Sequence, residues 1–240
     1  MKTIRKLLCI ALIVSILCVA AFPALAEIEL VPESTTMYLN STNSRNLTAT
    51  RNIAISGIGL DSKITAPKSS KPAVLSIDQL KLETRHLESF PGEAVDQITA
   101  TLSVNLHRPG RSTVSVKVDG KTYKSKLKVE QYVNPVKSFV ITGISGKNLK
   151  SQFRTSGGAS ASLTSNARAG QVKLVAASGW KIRKLGFISA DDAIIYERKA
   201  GTAAFRLTIP AMKKGAYYAI PATLQNTSTG GFIDIMYMLK

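Results

Sequence analysis

The sequence is short of the residues on which most catalytic chemistry depends. Its two cysteines, Cys9 and Cys18, lie within the first 26 residues, and its two histidines are His86 and His107. Without residues 1–26 the chain has no thiol, which excludes disulfides, cysteine-ligated zinc and a cysteine nucleophile. Two isolated histidines are also too few for a zinc site, which needs several converging ligands. We therefore predict no catalytic residue, no metal and no cofactor.

Long apolar runs are equally scarce, and the one that is present lies at the amino end. Three basic residues precede the apolar residues 7–22, and an A-L-A motif ends at Ala26. This order is typical of a secretory signal peptide. We interpret residues 1–26 as a cleaved signal peptide, so that the exported chain begins at Glu27. No later run reaches the roughly 18–20 apolar residues that span a bilayer, so we expect no membrane span in the exported chain.

Acidic residues are scarce in the second half of the exported chain. Residues 27–133 contain 14 Lys and Arg against 11 Asp and Glu, a net charge of +3. Residues 134–240 contain 15 against 4, a net charge of +11. A field of this sign attracts polyanions and speeds their encounter with the protein. The imbalance therefore predicts an anionic partner for the second half.

A long helical repeat of apolar residues is also missing, and apolar and polar residues alternate instead. In residues 98–106, for example, every second side chain is apolar. Such alternation indicates half-buried strands, and many short strands between turns are typical of β-sandwiches. We predict an all-β protein of two tandem immunoglobulin-like β-sandwich domains, residues 27–133 and 134–240. Short helical turns are predicted only near residues 77–86 and 190–193.

The clearest local prediction is a hairpin around Asp119 and Gly120. Asp-Gly between two alternating runs favours a type I′ turn, because both central residues of that turn need positive φ. A two-residue loop pairs Val116 with Tyr123. The same register places these lysines on one solvent-facing side: Lys117, Lys124, Lys126 and Lys128.

Three groups of segments in residues 28–130 share features with one known family. They are an opening strand pair at 36–39 and 47–50, serines followed by a proline and a valine-led strand at 68–77, and a glycine turn with closing strands at 108–116 and 127–129. In these features the chain resembles the bacterial immunoglobulin-like domains of group 2, the intimin/invasin-like kind. The resemblance implies a secreted or cell-surface bacterial protein used for spacing, adhesion or carbohydrate contact, without catalytic residues. Residues 83–97 have no counterpart in it, and we interpret them as an insertion.

The most distinctive basic segment surrounds the single tryptophan, Trp180. In a strand, Trp180 and Ile182 face inward while Lys181 and Arg183 face outward together. One interpretation is a core tryptophan with basic neighbours at the surface. The other is a polyanion-binding surface that recognises phosphate, sulfate or carboxylate groups. Its candidate residues are Lys181, Arg183, Lys184, Arg198, Lys199, Lys213 and Lys214.

These patterns predict a secreted or cell-surface, non-enzymatic protein with a structural or adhesive role. Its basic second sandwich is expected to retain it on an anionic envelope polymer or acidic glycan. No aromatic series interleaves the basic residues, which argues against specific nucleic-acid recognition.

Two alternatives stay open at this point. The first is a carbohydrate-binding module, whose exposed aromatic platform would consist of Phe187, Tyr196, Tyr217 and Tyr218. The second is a secreted hydrolase with two carboxylates about 5–10 Å apart. The only adjacent acidic pair is Asp191-Asp192, and neighbouring residues on a strand point to opposite faces.

Overall fold

The computed structural model describes residues 28–42, 49–89, 93–189 and 196–240, with the side chains of all but 85–89, 93–97 and 196–200. The predicted signal peptide and the predicted turn at 190–193 lie outside these residues. The described chain consists of sixteen β-strands and one short 3-10 helix, Lys150–Phe153. It is therefore all-β, as the alternating sequence predicts. No helix among the described residues is long and apolar enough to cross a membrane.

The first sandwich contains eight of these strands. They are β1 (Glu29–Pro32), β2 (Thr36–Tyr38), β3 (Ala49–Ser56), β4 (Ile64–Ser69), β5 (Leu75–Ser89), β6 (Glu93–Leu106), β7 (Gly110–Val118) and β8 (Lys121–Glu130). One sheet has the order β1-β3-β6-β5, and the other has the order β2-β8-β7-β4. In the letters used for immunoglobulin domains these sheets are ABED and A′GFC, which is the immunoglobulin-like arrangement.

The second sandwich repeats this plan with one edge strand moved. Its strands are β9 (Val136–Ile141), β10 (Gly158–Ala161), β11 (Gly170–Ala176), β12 (Trp180–Ser189), β13 (Tyr196–Thr202), β14 (Ala204–Ile209), β15 (Tyr218–Asn226) and β16 (Phe232–Leu239). The sheet orders are β14-β11-β9 and β10-β16-β15-β12-β13. In both sandwiches the first strand pairs with one sheet and the second strand joins the other, parallel to the last strand.

Each sandwich has its own apolar core. Successive side chains of a strand point to opposite faces, so an alternating run fills one side of a core. In the first core, Leu102 and Val104 of β6 are fully buried. In the second, Ile233 and Ile235 of β16 are buried in the same way. Two separate clusters of buried residues result, which confirms the prediction of two tandem sandwiches.

The predicted hairpin is confirmed residue by residue. Val116 lies opposite Tyr123 in the antiparallel pair β7–β8. Asp119 and Gly120 have φ of 51° and 82°, the positive values that a type I′ turn requires.

The predicted helical turn at 77–86 is wrong, because these residues belong to strand β5. A register shift between Ile77 and Gln79 interrupts the pairing of β5 with β6. Ile77 and Leu80 consequently both pack against the core although they are three positions apart, a spacing that imitates a helix. Residues 83–97, interpreted as an insertion, form the outer part of the same long hairpin.

The two sandwiches meet through residues 34–42, which reach onto one end of the second sandwich. The ring of Tyr38 lies against Trp180, with centroids 5.3 Å apart, and belongs to the second core. The hydroxyl oxygens of Tyr38 and Thr229 are 3.2 Å apart. Gly231 fits tightly here, since a Cβ at this position would lie 2.6 Å from the Tyr38 ring. The single tryptophan is therefore buried partly by the first sandwich.

The connecting segment between β8 and β9 adds a second buried contact. The Tyr132 hydroxyl donates a hydrogen bond to the Phe153 carbonyl oxygen at 2.7 Å. Burial raises the pKa of the Tyr132 phenol well above its ordinary value. The connector is thus anchored to the 3-10 helix of the second sandwich.

Candidate functional site: the groove between the sandwiches

A groove of about 740 Å³ lies where the two sandwiches meet. Strand β3 of the first sandwich and strands β12, β15 and β16 of the second contribute its lining. The charged residues that line it are Glu33, Arg51, Arg183, Lys184 and Asp234. Two of the predicted polyanion-binding residues, Arg183 and Lys184, therefore border the first sandwich.

An ion pair between Arg51 and Asp234 connects the two sandwiches in this groove. Arg51 is only 8% exposed, and its Nη1 donates to Asp234 Oδ2. Its Nη2 donates to the Phe232 carbonyl oxygen at 3.2 Å. Asp234 Oδ1 in turn accepts a hydrogen bond from Thr223 at 2.8 Å. A buried guanidinium that loses its counter-charge is costly, so the contact between the sandwiches depends on Asp234 to compensate Arg51.

The sequence contains no signal for this pair. Arg51 stands in the alternating strand β3, where its position is that of an ordinary inward-facing residue, and its partner lies 183 positions away. Only the packing of one sandwich against the end of the other brings the two charges together.

A bulge in β12 exposes two successive cationic residues. Trp180 and Ile182 are buried while Lys181 and Arg183 are exposed, as predicted. The pairing of β12 with β15 shifts register between Ile182 and Lys184, so Lys184 is exposed as well. A bulge sets two residues of one strand against one of its neighbour and redirects the side chains. Three cationic side chains therefore share the outer side of this strand.

Lys213 and Lys214 do not join this group. They lie in the turn between β14 and β15, where the Lys213 backbone amide donates to the Tyr218 hydroxyl at 2.9 Å. Tyr218 begins β15, and Thr223, the partner of Lys184, lies five positions further along the strand. Five strand positions correspond to about 17 Å. The predicted basic surface is therefore divided into two separate places.

The remaining candidates lie on β13. The backbone of Lys199 pairs with that of Lys184, and the backbone of Arg198 pairs with Leu185. The side chains of Arg198, Lys199 and Tyr196 lie outside the described part of the structure.

The predicted aromatic platform is wrong for two of its members. Phe187 is fully buried and Tyr218 is 6% exposed, and their rings stack in the second core with centroids 5.7 Å apart. The physical reason is again the bulge, which returns Phe187 to the inner side after Leu185. Tyr217 alone is exposed among the described members, at 40%. The predicted four-membered platform therefore does not form, since two of its members lie in the core.

The two carboxylates that line the groove do not form a hydrolytic pair that is free to react. Glu33 and Asp234 both line the groove, but Asp234 is held by Arg51 and Thr223. Asp191 and Asp192 lie outside the described residues. His107 is hydrogen-bonded to Ser76 at 2.8 Å, at the end of β6. Among the described residues, no group of three or more His, Asp or Glu side chains is arranged to hold a metal ion.

Comparison with known proteins finds similarity in fold only. Neither protein-family profiles nor curated protein sequences match the chain. Among solved structures, the Yersinia pseudotuberculosis adhesin InvE is 12% identical with a TM-score of 0.27, over 89% of this chain and 58% of that one. Domains 5–6 of the surface-layer protein SbsC are 14% identical with a TM-score of 0.28, over 88% and 97% of the two chains. The titin fragment I67–I69 is 13% identical with a TM-score of 0.21, over 89% and 64%.

The chain thus spans 58% of the adhesin structure that it matches. At these scores the immunoglobulin-like assignment rests on the strand order of the chain itself.

Proposed function

We propose that the chain is a secreted or cell-surface, non-enzymatic bacterial protein that binds an anionic envelope polymer or acidic glycan. The binding surface is the outer side of β12, with Lys181, Arg183 and Lys184. The two sandwiches act as a spacer of fixed geometry, which suits a structural or adhesive role. The finer assignment to the group 2 immunoglobulin-like domains, with a boundary at residues 133 and 134, belongs to the same proposal.

One observation carries the proposal. Residues 134–240 contain fifteen Lys and Arg against four Asp and Glu, and Asp234 is the acidic residue among them whose side chain the structure describes. That carboxylate is committed to Arg51 of the first sandwich. No ion pair of the described residues involves Lys181 or Arg183, so these two cationic groups are available to an external anion.

The geometry of β12 supports recognition of a repeating anion. Side chains on one face of a strand recur at about 6.8 Å, the separation expected between Lys181 and Arg183. Cationic groups in this arrangement bind phosphate, sulfate or carboxylate through charge-assisted hydrogen bonds. Each group contributes modestly at an exposed site, so a polymer that engages several at once is favoured over a single small anion.

The test measures binding of residues 27–240 to immobilised polyglycerol phosphate and to polygalacturonate at low and high salt. Binding is expected at low salt and is expected to weaken steeply as salt rises, because association releases counterions. Lys181→Gln/Arg183→Gln is expected to weaken binding about tenfold, since two charge-assisted contacts are lost.

The matched control is Lys137→Gln/Lys147→Gln, which removes the same charge from exposed positions elsewhere in the second sandwich. Its affinity is expected to change less than about twofold. Equal weakening by both double variants, or no binding to either polymer at low salt, would contradict the proposed surface.

A further inference from the structure

The first sandwich is close to neutral in total but is divided in charge between its two sheets. Strands β1, β3, β5 and β6 carry three Lys and Arg against six Asp and Glu, a net charge of −3. Strands β2, β4, β7 and β8 carry seven against one, a net charge of +6. The small net charge of residues 27–133 therefore conceals a strongly basic sheet.

The alternation of β7 and β8 turns these cations to the solvent. Val114 and Val116 of β7 and Leu127 of β8 are buried, whereas Lys124 and Lys126 are exposed. Across the strands the outward residues are matched in pairs of a cation with a hydroxyl or a second cation. These pairs are Arg111 with Lys128, Thr113 with Lys126 and Ser115 with Lys124.

Little of this charge is neutralised within the chain. Lys128 forms an ion pair with Glu130 of the same strand. Lys121 lies over the ring of Tyr123, 5.3 Å from its centroid. In the described part of the chain no ion pair involves Arg111, Lys124 or Lys126.

One end of this basic face is concave. A groove of about 490 Å³ lies there, and it is separate from the groove between the sandwiches. Its lining includes the cationic residues Lys71, Arg111, Lys126 and Lys128, with the hydroxyl groups of Thr35, Thr36, Ser70, Ser112 and Thr113.

The loop that contributes Lys71 is fixed to β7 by a small hydroxyl network. Ser112 is only 4% exposed, and its Oγ accepts a hydrogen bond from the Lys71 backbone amide at 3.2 Å. The same Oγ is 2.9 Å from Ser69 Oγ. Ser70 Oγ accepts a hydrogen bond from the Thr113 backbone amide at 2.8 Å. Lys71 is thereby held on the loop beside the strand that carries Arg111, before any ligand arrives.

We infer that this groove on the β2-β8-β7-β4 sheet binds a phosphate or sulfate group of a linear polyanion. Arg111 offers a planar pair of donors to an oxyanion, and Lys71 and Lys126 add point charges to its rim. The hydroxyl groups of Thr35, Thr36 and Thr113 supply further donors of the kind that such oxyanions accept. Lys124, with Lys126, continues the cationic row along β8 at about 6.8 Å per step, so that neighbouring groups of the polymer are also met.

This inference does not rest on the proposed surface of β12. It assigns a binding face to the first sandwich, although the small net charge of residues 27–133 gives no sign of one. If both faces bind, a single chain holds one polymer at two points, and its attachment gains from the high effective concentration of the second contact.

The test measures binding of residues 27–240 to long-chain inorganic polyphosphate and to heparin, with inorganic phosphate as the monomeric competitor. Arg111→Gln/Lys126→Gln is expected to weaken affinity for the polymers about tenfold, because two charged contacts are lost from one groove. Inorganic phosphate is expected to compete only at far higher concentration, since it engages a single position.

The matched control is Lys63→Gln/Lys121→Gln. It removes the same charge near the turn at the opposite end of the same sheet, where the Lys63 amide donates to Asp119 at 2.7 Å. Less than about a twofold change is expected for it. Equal weakening in the two double variants, or wild-type affinity in Arg111→Gln/Lys126→Gln, would overturn the inference.

Combining Arg111→Gln/Lys126→Gln with Lys181→Gln/Arg183→Gln in one protein separates the two sites. A loss at Arg111 and Lys126 that persists when β12 is already neutralised supports an independent groove in the first sandwich. Loss only from the β12 variant overturns the groove and leaves the proposed function standing.

Discussion

The two sandwiches share a strand plan but differ in how charge is distributed over it. The first carries +6 on one sheet and −3 on the other. In the second, the strands of each sheet carry a net charge of +3, so there is no comparable division. Asp234 of the second sandwich pairs with the first, and the edge strand β13 lies beside β12 where the first sandwich has β5 beside β6. The most basic sheet therefore lies in the first sandwich, although the second sandwich has the larger net charge.

The two sandwiches are not independent of each other at their interface. Tyr38 of the first sandwich completes the second core, and Arg51 compensates the charge of Asp234. Because these contacts join otherwise separate cores, three changes near the junction test how far each sandwich depends on the other.

The largest effect is expected from Gly231→Ala. A Cβ at this position would lie 2.5 Å from the Thr36 carbonyl oxygen and 2.6 Å from the Tyr38 ring. Overpacking of this kind costs about 2–3 kcal/mol. Thermal unfolding and the emission wavelength of Trp180, the single tryptophan, measure the outcome, and a red shift is expected as Tyr38 is displaced. Gly201→Ala is the control, because no heavy atom lies within 4 Å of its added Cβ.

An intermediate effect is expected from Arg51→Met. The variant removes the ion pair with Asp234 and the hydrogen bond to the Phe232 carbonyl group. A loss of about 1–2 kcal/mol in the free energy of unfolding is expected from hydrogen bonds to charged groups. Denaturant unfolding measures it.

Lys81→Met provides the comparison on the same sheet, since Lys81 forms an exposed pair with Glu83 in which its side chain is 61% exposed. That change is expected to cost about 0.5 kcal/mol. Identical costs in the two variants would show that the Arg51 pair does not hold the sandwiches together.

The smallest effect is expected from alkaline pH. An unfolded tyrosine ionises near pH 10, whereas burial raises the pKa of the folded Tyr132 phenol above that value. The unfolded state therefore loses its proton first, and stability declines as pH rises above about 10. Thermal midpoints between pH 8 and 11 measure the decline. It should be shallower in Tyr132→Phe, and parallel profiles would contradict the assignment.

Much of the fold could be predicted from alternation and turn chemistry. The β7–β8 hairpin follows from Asp119 and Gly120, since the turn type fixes the register of every later pair. The helical turn at 77–86 was mispredicted because the shift between Ile77 and Gln79 replaces period two by a three-residue spacing. A local irregularity of pairing depends on the neighbouring strand, and a single strand's sequence does not reveal it.

The candidate site could be predicted only in part. The outward direction of Lys181 and Arg183 follows from alternation with Trp180 and Ile182. The added exposure of Lys184 and the burial of Phe187 both follow from the bulge in β12, which alternation does not anticipate. The groove of the first sandwich was missed because net charge averages over two sheets that face opposite ways.

The parallel pairing of each second strand with the last strand of its sandwich has a mechanical consequence. In the second sandwich, residues 158–161 lie in register with residues 236–239 along strands that run in the same direction. Tension applied to the two ends of this sandwich would pull the two strands past each other in shear. The bonds of the pair would then bear the load together instead of opening one at a time. Strands β2 and β8 of the first sandwich pair in the same parallel way, over residues 36–38 and 128–130, so the same shear geometry applies there.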